Sequence, residues 1–173
     1  MNSTSYEEQH KSRSQSVTAR GPPHNLDAEG AVLGAMLLSR DAIGPAVEIL
    51  SGDHFYVPSH GFIFDAIASL YGAGEPAVPV TVAEELTRSG LLEQVGGAQR
   101  LIELQTITPA TSNAARYAKI VEEHALLRRL IGVAGEIVEL GYSYPDDVVK
   151  AVDEAEAMVF QVAERRVIDS TKP

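Results

Sequence analysis

Between Asn113 and Gly141 the apolar residues recur along two lines rather than one. Tyr117, Ile120, His124, Leu127, Ile131, Ala134 and Val138 step by threes and fours, and so do Leu126, Leu130, Val133, Ile137 and Leu140. At about 100° per residue the two lines lie roughly 120° apart on a helix. A surface helix needs one buried face. Two faces predict that one packs on this chain and the other on another molecule.

A second amphipathic run follows. Val148, Val152, Ala155, Val159 and Val162 are spaced four, three, four and three. Gly141 to Tyr144 read as the turn between the two helices. Pro145 fits a first helical position, and Asp146 and Asp147 suit the positive end of a helix ending near Arg166, with Arg165 and Arg166 at its negative end. Two long helices joined by a short turn form an antiparallel hairpin. At about 1.5 Å per residue its arms would be roughly 43 and 33 Å long, so part of it must protrude from the globule before it.

That globule reads as five shorter helices. The first spans Leu26 to Ser39, with Asn25 as N-cap and Leu26, Gly30, Leu33 and Leu37 on one face. Gly30 and Gly34, four apart, predict close packing against a neighbouring helix. Asp41 can cap a helix over 42–50, and a loop follows to Pro58. His60 to Tyr71 forms the third helix. Thr81 and Glu84 form a capping box for a fourth over 82–89. The fifth covers 98–105, and Thr111 or Ser112 caps the long helix. Val78-Pro79-Val80 is the closest approach to a strand and is too short to be one. The expected fold is all-α, a compact helical bundle followed by a protruding antiparallel helical hairpin. Residues 1–22 read as a disordered polar leader, 23–112 as the globular subdomain, 113–167 as the hairpin, and 168–173 as a tail or the start of a linker.

Composition narrows the chemistry. There is no cysteine among the 173 residues, which rules out disulfides and thiolate metal sites and fits a reducing cytoplasm. No apolar run reaches the roughly 20 residues that a membrane span requires. The net charge of −10 is uneven: residues 25–112 hold 3 Lys and Arg against 11 Asp and Glu. Such a field repels phosphates, so strong direct binding of nucleic acid is not expected. The chain contains no phosphate-binding loop, dinucleotide fingerprint or nucleophile elbow. No catalytic residue, cofactor site or metal site is therefore assigned. His54 and His60 flank a loop-to-helix junction without an acidic ligand at metal spacing, and read as capping and packing residues. His124, within an apolar line, reads as a hydrogen-bonded core or interface histidine or as a pH-sensitive contact. Arg128 and Arg129 follow Glu122 and Glu123 by six residues and suggest an ion pair, within the hairpin or across to a partner.

Several segments, in order, carry a resemblance. They are PPHNLDAEGAVLGAMLLSRDAI at 22–43, DHFYVPSHGFIFDAI at 53–67, GEPAVPVTVAEEL at 74–86, GLLEQVGGAQRL at 90–101 and YAKIVEEHALLRRLI at 117–131, with AEAMVF at 155–160. Together they resemble the N-terminal domain of the bacterial replicative DNA helicase, the DnaB type, over about residues 22–167. Arg100 stands where that family usually has an aromatic residue, Gly30 where it has Gln and Val78 where it has Asp. The resemblance implies that hairpins pair between subunits, as a homodimer or a trimer of dimers, in a collar above a hexameric motor ring. It implies docking of the primase C-terminal domain or of a helicase loader during DNA replication. ATP and Mg²⁺ would belong to the family's motor domain, not to this chain. The expected pairing surface is Leu126, Leu130, Val133, Ile137, Leu140, Val152 and Val159, and the expected primase-facing residues are Arg100, Ile131 and Ile137. Five aliphatic side chains buried between copies would contribute on the order of 10 kcal/mol before association costs. A stand-alone adaptor or inhibitor with the same fold is the alternative. A DNA-binding regulator fits the charge poorly.

Overall fold

The computed structural model describes the backbone of residues 21–170 and the side chains as far as Glu164. The expected leader up to residue 20, the side chains of Arg165 and Arg166, and residues 171–173 lie outside the described residues. Seven α-helices and no strand are found among them: α1 Leu26–Leu38, α2 Arg40–Ile49, α3 Pro58–Gly72, α4 Pro79–Arg88, α5 Gly97–Ile107, α6 Ala114–Tyr142 and α7 Val148–Ser170. Short 3-10 turns at Gly52–His54 and Thr111–Asn113 precede α3 and α6.

Helix α1 is the axis of the body. Asn25 caps it, its side-chain oxygen accepting the Ala28 amide at 2.9 Å. It packs on α2, α3, α5 and α6, so every residue from Ala28 to Leu37 is buried, while Leu26 and Leu38 at its ends are exposed. The single face expected for it is therefore a helix buried all round. Gly34 shows why small residues recur in it. A Cβ there would overlap the Leu104 carbonyl and the Thr108 hydroxyl, so α1 and the end of α5 approach to backbone distance. Val32, Leu33, Met36, Ile43, Ile63, Ile67, Val82, Leu86, Leu101 and Leu104 complete an almost wholly aliphatic core.

Several helix starts differ from the sequence reading, and each has a local reason. Helix α4 begins at Pro79, one turn before the expected Val82. Proline's fixed φ suits the first helical position, and Thr81 reaches back from the first turn. Its hydroxyl accepts the Val78 amide at 3.1 Å and donates to the Pro76 carbonyl at 2.6 Å. Helix α3 likewise starts at Pro58. Asp41 lies inside the first turn of α2 instead of capping it. Pro145 and Asp146 stay in the hairpin turn; Asp147 caps α7, accepting the Lys150 amide at 3.0 Å. Helix α4 is closed just past its C-cap by Gly90, whose φ of +72° permits the Leu91 amide to reach the Leu86 carbonyl at 2.8 Å.

Helix α6 belongs to both halves of the molecule. Ala114, Ala118 and Val121 are buried in the body, with Tyr117 and Ile120 packed partly against its core. Beyond Val121 no residue of α6 is fully buried. Its 29 residues give a rod about 43 Å long, of which roughly the second half leaves the body. Helix α7 returns along it and continues through Ser170, past the expected end near Arg166, so 168–170 are helical rather than tail. No helix among the described residues is long and apolar enough to cross a membrane.

Candidate interaction surface

The two apolar lines of α6 have different fates. Leu126, Val133, Ile137 and Leu140 are half-buried, and Ile137 and Leu140 face Ala151 and Ala155 of α7 across the seam of the hairpin. Leu130, of the same line, is exposed, as are Val152 and Val159 on α7. The seven positions expected to pair between copies are thus split, four in or near the seam and three open. The other line continues from Tyr117 and Ile120 into Leu127, Ile131 and Val138, all exposed; Ile131 is 56% accessible. Phe160, Val148 and Val149 are open on α7, and Tyr142 and Tyr144 at the turn. Scattered apolar residues on a surface need no explanation, but a series of them along a projecting hairpin is a candidate interaction surface. At the tip a cavity of about 450 Å³ opens between Ile137, Leu140, Tyr144, Pro145, Val148 and Val152. From Gly132 to Glu164 eight carboxylates accompany only one cation, Lys150, so this surface does not suit a phosphate backbone.

The base of the hairpin is tied to the body by Arg128. Among the described residues it makes no ion pair of the kind the sequence suggested; its guanidinium donates to the carbonyl of Pro23 at 2.8 Å and of His54 at 2.7 Å. It also lies over the Tyr56 ring, 5.6 Å from the centroid. Tyr56 in turn stacks on His24 at 4.2 Å. One side chain of α6 therefore clamps the entry to α1 and the loop before α3. Nδ1 of His124 lies 2.8 Å from the Ile120 carbonyl one turn back, where it can donate.

Sequence reasoning missed a polar centre inside the body. Glu29, in the first turn of α1, is 1% exposed. It accepts the amides of Tyr56 and Val57 at 2.9 and 3.3 Å and meets Nδ1 of His60 at 2.9 Å. His60, also buried, has its Nε2 3.4 Å from the Arg100 guanidinium. A proton on Nδ1 and a lone pair on Nε2 satisfy both neighbours with a neutral ring. Arg100 thus covers a buried Glu29–His60 pair and reaches Glu103 at 3.5 Å. The signal in the sequence was the one charge, Glu29, in an otherwise apolar stretch from Ala28 to Leu38. The three residues expected to face primase are dispersed: Arg100 on the body, Ile131 on the open flank, Ile137 at the seam, with no described contact joining them. No group of three or more metal-ligating side chains is found among the described residues.

A family model, the DnaB-like helicase N-terminal domain, matches residues 21–123. This chain belongs to that family. The matched segment covers the whole body and the start of α6. Replicative DNA helicase DnaB of Mycobacterium leprae (strain TN) is 48% identical over 156 residues, 89% of this chain and 26% of that protein. The chain spans about a third or less of the length of the curated relatives it matches. Among solved structures, the N-terminal domain of DnaB helicase from Mycobacterium tuberculosis superposes with a TM-score of 0.78 at 48% identity, covering 82% of this chain and 99% of that one. A DnaB-like replicative helicase, described with its interactions with primase, gives a TM-score of 0.65 at 27% identity, over 81% of this chain and 31% of that one. The chain is an N-terminal domain of the DnaB replicative helicase type, and the all-α body with a hairpin is the fold of that domain.

Proposed function

We propose that this DnaB-type N-terminal domain is an assembly module of DNA replication in the cytoplasm: its hairpin pairs with the hairpin of a second copy, and the assembled collar presents a docking surface for primase or a helicase loader. The observation that carries this reading is the open apolar flank of the hairpin, Leu127, Leu130, Ile131 and Val138 on α6 with Val152 and Val159 on α7. Left in water, that series would favour association. The related helicase described with primase supports the docking role. Chemistry on ATP and Mg²⁺ is assigned to the motor domain of the family, and this chain serves as scaffold.

The test is the mass of the protein in solution. Sedimentation equilibrium of the unaltered chain should show a dimer or a higher even-numbered species. Leu130→Glu with Ile131→Glu should move it to the monomer mass while leaving helicity unchanged. A monomer in the parent protein, or an unaltered mass in the variant, counts against pairing. Titration of a primase C-terminal domain into the parent and into Arg100→Ala tests docking separately, because Arg100 lies on the body and away from the hairpin flank.

A further inference from the structure

The middle of the hairpin carries two glycines that no packing in the fold explains. Gly132 and Gly135 are exposed on α6, and a Cβ built on either would meet no atom within 4 Å. Gly34 is the opposite case, where a Cβ would overlap neighbouring backbone. Glycine loses more conformational freedom than alanine when a helix forms, and so weakens it. Helix α6 thus accepts two weak positions within one turn and gains no close contact from them.

Two further observations fall at the same level. A cavity of about 420 Å³ lies between Gly132 and Val133 of α6 and Met158, Gln161 and Val162 of α7, so the arms are incompletely packed there. Met158 and Gln161 are unbranched and can occupy other rotamers as the gap changes. One turn before Gly132, on the same side of α6, Arg128 fixes the base to the carbonyls of Pro23 and His54. A fixed base, a weak turn and room to move are the elements of a bend, and sharp helix bends arise at such glycines.

We propose that the hairpin flexes at Gly132–Gly135, with α6 kinking into the cavity while α7 re-packs around Met158, so that the tip swings relative to the body. The open flank then meets a partner at more than one angle. This inference does not depend on which partner binds.

The absence of cysteine from the chain makes the measurement direct. Arg88→Cys on α4 and Lys150→Cys at the tip carry a spin-label pair in the full chain, diluted with unlabelled protein so that only distances within one copy are read. The parent should give a broad distance distribution. Gly132→Ala with Gly135→Ala, which has space for both methyl groups and favours helix, should narrow it to about half that width. Amide exchange at residues 132–136 should slow about ten-fold in the same variant. Equal widths in parent and variant overturn the bend. So does a variant that loses self-association at unchanged width, since the glycines would then serve close approach of a second helix.

Discussion

Nδ1 of His60 lies 2.9 Å from a carboxylate oxygen of Glu29, and both side chains are buried. Because the same carboxylate also accepts the amides of Tyr56 and Val57, one group joins α1, the loop before α3 and α3 itself. Removing it would leave the buried His60 ring and two part-buried amides without their acceptor.

Burial would push the Glu29 carboxyl up, but the bonds from His60, Tyr56 and Val57 outweigh it and hold the group below its ordinary 4.5. A carboxyl held low in the folded state contributes stability above its unfolded value, and the contribution is lost as pH falls through the folded one. Asp53, lowered mainly by the Ser51 hydroxyl, acts in the same direction. Asp65, raised by burial and by the charge of Asp53, acts in the opposite one. Glu29→Gln should cost about 1–3 kcal/mol at pH 7 and flatten the fall in melting temperature on acidification below 4.5. Thermal melts of both proteins between neutral and acid pH check this. An equally steep acid limb in the variant would show that Glu29 does not set it.

Arg128→Ala should free the entry to α1 and the loop before α3 from the hairpin base. The expected loss is about 1–2 kcal/mol, from two charge-assisted bonds to half-buried carbonyls. Arg128→Lys should recover little, because a single ammonium on a flexible stem does not reproduce a planar fork across two acceptors. Chymotrypsin reports the release: cleavage after Phe55 or Tyr56 should accelerate in both variants. Parent-like cleavage would mean that Tyr56 and His24 hold the loop without the guanidinium.

Two glycines in α1 should respond differently to one methyl group. Gly34→Ala drives a Cβ into the Leu104 carbonyl and the Thr108 hydroxyl, so α1 and α5 must separate, at a cost of about 1–3 kcal/mol. Gly30→Ala meets the ends of two side chains, Ile107 at 3.3 Å and Leu104 at 3.7 Å; the first can turn aside and the second is at ordinary contact distance. Its cost should be below about 1 kcal/mol, offset by better helix propensity. Urea unfolding of the two variants side by side measures the contrast.

The number and order of the helices were legible because apolar spacing and turn residues agree along the chain. Their starts were less so: Thr81 and Asp41 carry N-cap chemistry, but Pro79 and Arg40 begin the helices earlier. The two stripes of α6 were legible as angles on a wheel. Which one α7 would cover was not, because that depends on the direction in which the Ser143–Asp147 turn returns the chain. Glu29 and His60 are 31 residues apart, and no local pattern joins them. The partners of Arg128 are main-chain carbonyls, which have no signature in residue type, so the sequence suggested a carboxylate instead.

Helix α6 has no break between Ala118, within the core, and Ile137, near the hairpin tip. It is a lever whose short arm is embedded among α1 and α2. A load applied to the far end is carried inward as torque on Ala118 and Val121, moderated by whatever compliance the shaft has. Engagement at the tip and the mechanical firmness of the bundle are therefore properties of one continuous rod.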